Sequence, residues 1–246
     1  MLTSDVPAGE TLAFIAAHLP PGPARLLEVG CGDGALAIRL QARGHEIVAI
    51  DASRKAVARA RARGLDARQV EWPAFDDPTP FDAVLFTRSL HHIGPLAPAV
   101  RRAREILRPR GRVLVEDFAR HEVAPLAAEW LYQVLALLDG AGLLRRQSDP
   151  LLGAMRREGD ALAAWQAAHD PHLHSAAAMR AALQAEFRRV ETAVVPYLYR
   201  YVCARLPESA RGHRLARRAL AMERRLAAVG GVPLIGRRFV GNSARL

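Results

Sequence analysis

Lysine is almost missing from this 246-residue sequence, in which Lys55 stands alone although the formal net charge is +10. The positive charge is therefore arginine, and it comes with abundant alanine, as GC-rich coding produces. We read it first as a solvated surface and second as an attraction for anions. Cysteine is scarce too: Cys31 and Cys203 are too few for a disulfide framework, and a reducing cytoplasm is the expected compartment. Long apolar runs are missing. The most apolar stretch, residues 124–144, is broken by Glu129 and Asp139, so no membrane passage is expected. The start, with Asp5 and Glu10, does not read as a signal peptide. No repeat or low-complexity segment is present.

What is present suits one α/β domain, since half of the residues are apolar. From residue 24 to about 118 short apolar runs (26–29, 47–50, 83–86 and 113–115, with a weaker one near 68–71) alternate with helical patterns at 35–43, 53–63 and 98–107. Gly44, Gly64 and Pro109 stop those helices, and the alternation predicts βα units around a parallel sheet. A further helix is expected over 10–18. Residues 123–140 form a helix that is apolar nearly all round and should be buried on more than one side. Later come a helix at 175–183, an extended segment at 190–202, an amphipathic helix at 207–229 and a short strand at 237–242.

The turn after the first strand, Glu28-Val29-Gly30-Cys31-Gly32-Asp33-Gly34, is the specific feature. Its glycines permit close approach of a ligand to the main chain, and the helix that follows turns free N–H groups toward it. Asp51 ends the second strand, where an acid can accept hydrogen bonds from both hydroxyls of a ribose. An adenosine-type ligand follows, and at this point NAD stays open, because Gly30, Gly32 and Ala35 satisfy a G-x-G-x-x-A pattern.

The turn also resembles the first motif of class I S-adenosylmethionine-dependent methyltransferases. Residues 81–84 (Phe-Asp-Ala-Val), 89–92 (Ser-Leu-His-His) and 107–114 (Leu-Arg-Pro-Arg-Gly-Arg-Val-Leu) resemble the later motifs, in order. The resemblance implies a doubly wound, Rossmann-like sheet of seven strands, the last antiparallel. It also implies S-adenosylmethionine held by Glu28, Gly30, Cys31, Gly32, Gly34, Asp51, Ala52 and Thr87. Glu71 is the nearest match to the acid that meets the adenine amino group, with Asp76 and Asp77 as competitors, and Trp72 lies either on the base or in the core. A single domain of 1–246 is expected: an N-terminal helix (1–23), a cofactor-binding half (24–118), a helical cap insertion (119–174) and the rest of the sheet (175–246).

Methyl transfer from a sulfonium needs positioning more than acid or base help. His91 and His92, after the fourth strand, are the candidate catalytic residues. Glu116, His172, Tyr197 and Tyr199 are candidates for the acceptor pocket. The three tyrosines 197, 199 and 201, alternating along an extended segment, should share one face. The histidines at 169, 172 and 174 lack metal-ligand spacing, so no metal is expected. The reading is therefore a methyltransferase for a small-molecule acceptor, a monomer or homodimer, with no membrane partner. An RNA or protein methyltransferase, or a cofactor-binding regulator, is the alternative, and nucleic acid is the less favoured partner.

Overall fold

The computed structural model describes residues 1–145 and 150–243, so residues 146–149 of the expected cap and 244–246 of the last segment lie outside the described residues. After α1 (Asp5–Ala16), strands and helices alternate. They run β1 (Arg25–Val29), α2 (Ala37–Gln41), β2 (Glu46–Asp51), α3 (Arg54–Arg61), β3 (Asp66–Gln69), β4 (Phe81–Thr87), α4 (Leu96–Glu105) and β5 (Leu107–Phe118). The helices α5 (Pro125–Gly140), α6 (Pro150–Glu158), α7 (Ala161–Ala167) and α8 (Ala176–Glu186) follow. Then come β6 (Val190–Val195), α9 (Tyr199–Cys203), α10 (Ala210–Ala228) and β7 (Gly236–Asn242).

The strands form one sheet in the order β3-β2-β1-β4-β5-β7-β6. Pairings β1·β2, β1·β4, β2·β3 and β4·β5 are parallel. Strands covered on both faces must be apolar on both, and Leu26, Leu27, Val84, Leu85 and Phe86 are all buried. β7 reverses the sense: the N–H of Ala119, at the end of β5, donates to Ile235, while that of Ser243 donates to Gly111 near its start. Helix starts are capped where the sequence offers hydroxyls or carboxylates, Ser53 receiving the Ala56 N–H, Asp160 that of Ala163, Ser175 that of Ala178 and Ser209 that of Gly212.

The chain divides into two compact units. One comprises Thr11–Asp117, His174–Ala193 and Arg237–Leu246, with a core that includes Leu26, Leu40, Ile47, Val57 and Leu85. The other comprises Met1–Glu10, Phe118–Leu173 and Val194–Gly236 and is largely helical. Its core joins Leu131 and Leu135 of α5 and Trp165 of α7 to Tyr199 and Val202 of α9 and Ala216 of α10. The helices of the expected cap thus share their interior with a segment from the other end of the chain. No helix among the described residues is long and apolar enough to cross a membrane.

Two expectations are corrected. The extended segment stops at Val195, and residues 199–203 are helical, so the tyrosines do not share one strand face. The α5 helix is buried on one side: Ala127, Ala128, Leu131 and Leu135 point inward, whereas Leu126 and Leu137 are exposed.

Candidate active site

The glycine turn is folded by the strand beside it. The carbonyl of Ile50, on β2, accepts the N–H groups of both Gly30 (2.9 Å) and Cys31 (3.0 Å), and the carboxylate of Asp51 accepts that of Gly32 (2.9 Å). Gly30 has φ +75°, and a Cβ there would stand 2.6 Å from the Cβ of Ser89, so both backbone and space demand glycine. Gly32 has φ +57° and faces open space.

Beside the turn lies a cavity of about 310 Å³, the lower end of the size of ligand sites. Its walls are apolar at Val29, Ile50, Ala52, Val70, Trp72 and Ile93, and polar at Asp51, Arg88, Ser89 and His92. All of these follow the carboxyl ends of β1 to β4 or close those strands, the edge at which open α/β sheets bind ligands. Asp51 is only partly buried, and its second oxygen accepts the Ser53 N–H at 2.8 Å. Gly30, Asp51, Ala52 and Trp72 are therefore brought together as the sequence suggests. Trp72 is buried in the core, where its indole N–H donates to Ala99 O (2.9 Å) and its ring packs T-shaped against Phe86, and it also lines the cavity.

The other expected cofactor residues sit around or behind the cavity. Glu28 is buried under the turn and accepts from the Thr87 hydroxyl (3.1 Å). Burial pushes its carboxyl up from 4.5 to about 7, against the pull of Thr87 and Arg88. Cys31 is buried, and its thiol is pushed up to about 12 by burial and by Glu28 and Asp51, so it is neutral and not a nucleophile. Gly34 packs against Leu65 and Ala60, and Glu71 is exposed. Its competitors are engaged elsewhere: Asp76 pairs with Arg102 (2.6 Å), while Asp77 holds Arg25 and Arg68. Burial raises the Asp77 carboxyl, but the Thr79 N–H and the two guanidiniums outweigh it and hold the group below its usual value.

The two histidines separate in role. His92 is exposed and lines the cavity. His91 is buried and bound twice to Asp117, which accepts its backbone N–H (3.2 Å) and lies 2.5 Å from Nδ1, while its carbonyl accepts the N–H of His174 (3.0 Å). Glu116 is buried in a polar cluster, taking the Thr11 hydroxyl (2.6 Å) and the Arg238 guanidinium (2.6 Å), with Arg88 at 3.5 Å. Arg88, Val70 and Ile93 line the cavity without having been singled out in the sequence, and Ser89, the first residue of the 89–92 motif, lines it too. Ile93 follows the histidine pair and was findable there, whereas nothing local marks Val70.

In the helical unit, His172 is exposed, while Tyr197 is buried and stacked on Phe118 at 4.7 Å. Tyr199 is buried in the core. His169 is spent on the Trp165 carbonyl (2.7 Å) and the Tyr201 hydroxyl (2.7 Å).

A family model described as a methyltransferase domain matches residues 6–185. The chain belongs to the class I, S-adenosylmethionine-dependent methyltransferases. The matched part of this methyltransferase carries the glycine turn, Asp51 and the histidine pair. The chain is 32% identical over 136 residues to a ubiquinone biosynthesis O-methyltransferase of Xylella fastidiosa, covering 50% of this chain and 55% of the relative. A protein of the same name from Alkalilimnicola ehrlichii is 37% identical over 123 residues, covering 45% and 50%. The methyltransferase thus spans about half the length of the curated relatives it matches. Its fold is that of a S-adenosylmethionine-dependent methyltransferase from Archaeoglobus fulgidus, with TM-score 0.57, 11% identity and coverage of 97% of this chain and 93% of that one.

Proposed function

We propose that the chain transfers the methyl group of S-adenosylmethionine to a small-molecule acceptor, with the cofactor seated on the glycine turn and in the cavity beside it. The observation that carries this is the Asp51 carboxylate, which holds the Gly32 N–H of the turn and lines, with Gly30, a largely apolar cavity. The residues fit the group. Asp51 can accept from two ribose hydroxyls, Ala52, Val70, Trp72 and Ile93 make a slot for a flat base, and the open space over Gly32 admits a ligand against bare backbone. Glu28, beneath the turn, suits an ammonium rather than a pyrophosphate, which separates this ligand from NAD.

S-adenosylmethionine supplies a methyl already activated by its sulfonium, so the protein's share is positioning and exclusion of water. His92, which lines the cavity, would take the proton of an acceptor hydroxyl, with the His91–Asp117 pair holding the short turn that carries it. The names of the two relatives make an oxygen acceptor the first to try. Calorimetry with S-adenosylmethionine, its demethylated product and NAD tests the cofactor: tight binding of the first two and none of NAD is expected, and the reverse order overturns the proposal. Asp51→Ala should weaken cofactor binding about ten- to a hundredfold, the loss of a charge-assisted hydrogen bond or two. Unchanged affinity would remove Asp51 from the site.

A further inference from the structure

Six arginines lie on α10, at 211, 214, 217, 218, 224 and 225, against one acid, Glu223. At 3.6 residues per turn all six fall on the outward half of the helix. Glu223 does not: it is buried, where its carboxylate accepts the N–H groups of Tyr197, Leu198 and Tyr199, so it offers nothing to the outer face. Among the described residues Arg211, Arg214, Arg217, Arg218 and Arg225 have no ion pair, and only Arg224 has one, with Glu10 at 2.7 Å. Elsewhere in the chain Arg25, Arg68, Arg102 and Arg238 all engage acids.

Two apolar side chains interrupt this basic face. Residues 211, 214, 218, 222, 225 and 229 form one stripe, on which Met222 is 44% and Val229 80% exposed. Next to the stripe, within the same unit, a cleft of about 390 Å³ is lined by Val6, Leu220, His213, Arg217 and the Arg224–Glu10 ion pair, so its charge is already partly neutralised.

We propose that the outward face of α10 docks on a membrane surface bearing anionic phospholipid. Unopposed guanidiniums are drawn to a negative surface, and Met222 and Val229 give the same stripe two groups that leave water on contact. A nucleic acid carries the same phosphate, but α10 has no Phe, Tyr or Trp on which bases could stack, and apolar contacts on the stripe would be wasted on it.

Co-sedimentation with vesicles of phosphatidylcholine, with and without phosphatidylglycerol, tests this at about 0.1 M ionic strength, where screening acts over about 10 Å. The protein should partition onto the anionic vesicles alone and come off as salt is raised. Changing Arg211, Arg214 and Arg218 together to Gln should lower the partition about ten- to a hundredfold. The same three-charge loss in α3, at Arg54, Lys55 and Arg59, should lower it much less, and Met222→Ser with Val229→Ser should lower the salt concentration at which the protein comes off. Circular dichroism checks that each variant stays folded. No partition, equal loss from the α3 variant, or tighter binding to a nucleic-acid duplex that ignores Met222 and Val229, would overturn the proposal.

Discussion

Gly30 and Gly32 share a positive φ yet differ in what surrounds them, and the difference is measurable. Gly30→Ala adds a methyl 2.6 Å from Ser89 Cβ on strained backbone and should destabilise the protein by about 2–4 kcal/mol. Gly32→Ala meets no neighbour, so it should cost about 1 kcal/mol of stability while damaging cofactor binding more severely. Urea unfolding and calorimetry on the two variants separate the effects. Glu28 carries a pH signature. Its folded value of about 7 lies above 4.5, so the folded state holds the extra proton between those values. Stability from this group is complete below pH 4.5 and is lost as pH rises through 7, on the order of 3 kcal/mol in all. Unfolding midpoints at pH 5 and pH 8 should therefore fall further in the wild type than in Glu28→Gln. At this scale the turn was legible because its glycines and Asp51 act locally, across one pair of neighbouring strands. The employment of Asp77 was not, because it depends on Arg25, distant in sequence, and no local pattern marks a carboxylate as already paired.

Among the elements, α9 is where the sequence misleads. Alternating tyrosines after a β-branched run read as a strand, and the β-branched part, 190–195, is one. The helix begins because the N–H groups of residues 197, 198 and 199 are gathered by a single carboxylate that arrives from α10. Such a cap, 24 to 26 residues away, has no local signature. Glu223 is essential to that start. Burial raises its carboxyl, the three N–H donors oppose the rise, and the site is satisfied only while the oxygens are there. Glu223→Ala should cost about 3 kcal/mol or more by stranding buried donors, and Glu223→Gln less, since one acceptor survives. Denaturant midpoints of the two variants decide it; equal, small losses would mean that the cap is dispensable. The helices α3, α8 and α10, by contrast, were legible to within a few residues because each opens on a serine that caps it.

For the whole molecule, the alternation of residues 24–118 was enough for the sheet, since a strand covered on both faces must be apolar throughout and its helices must be stopped. The arrangement of the second unit was not legible, because its core is assembled from residues more than sixty positions apart, such as Leu131 and Tyr199. Charge likewise became informative only in three dimensions: an arginine excess that composition leaves unspecific becomes, on α10, a face of six arginines of which Arg224 alone meets an acid among the described residues. The clamp between Asp51 and Gly32 has a consequence for ligands cut in two. One carboxylate orders the turn on which, in the proposed site, an amino-acid moiety would lie and would itself face the ribose, so whichever fragment arrives first would prepare the site of the other. Adenosine and methionine, supplied as separate molecules, should each bind more tightly in the presence of the other, by the same factor in both directions, and that cooperativity should vanish in Asp51→Ala.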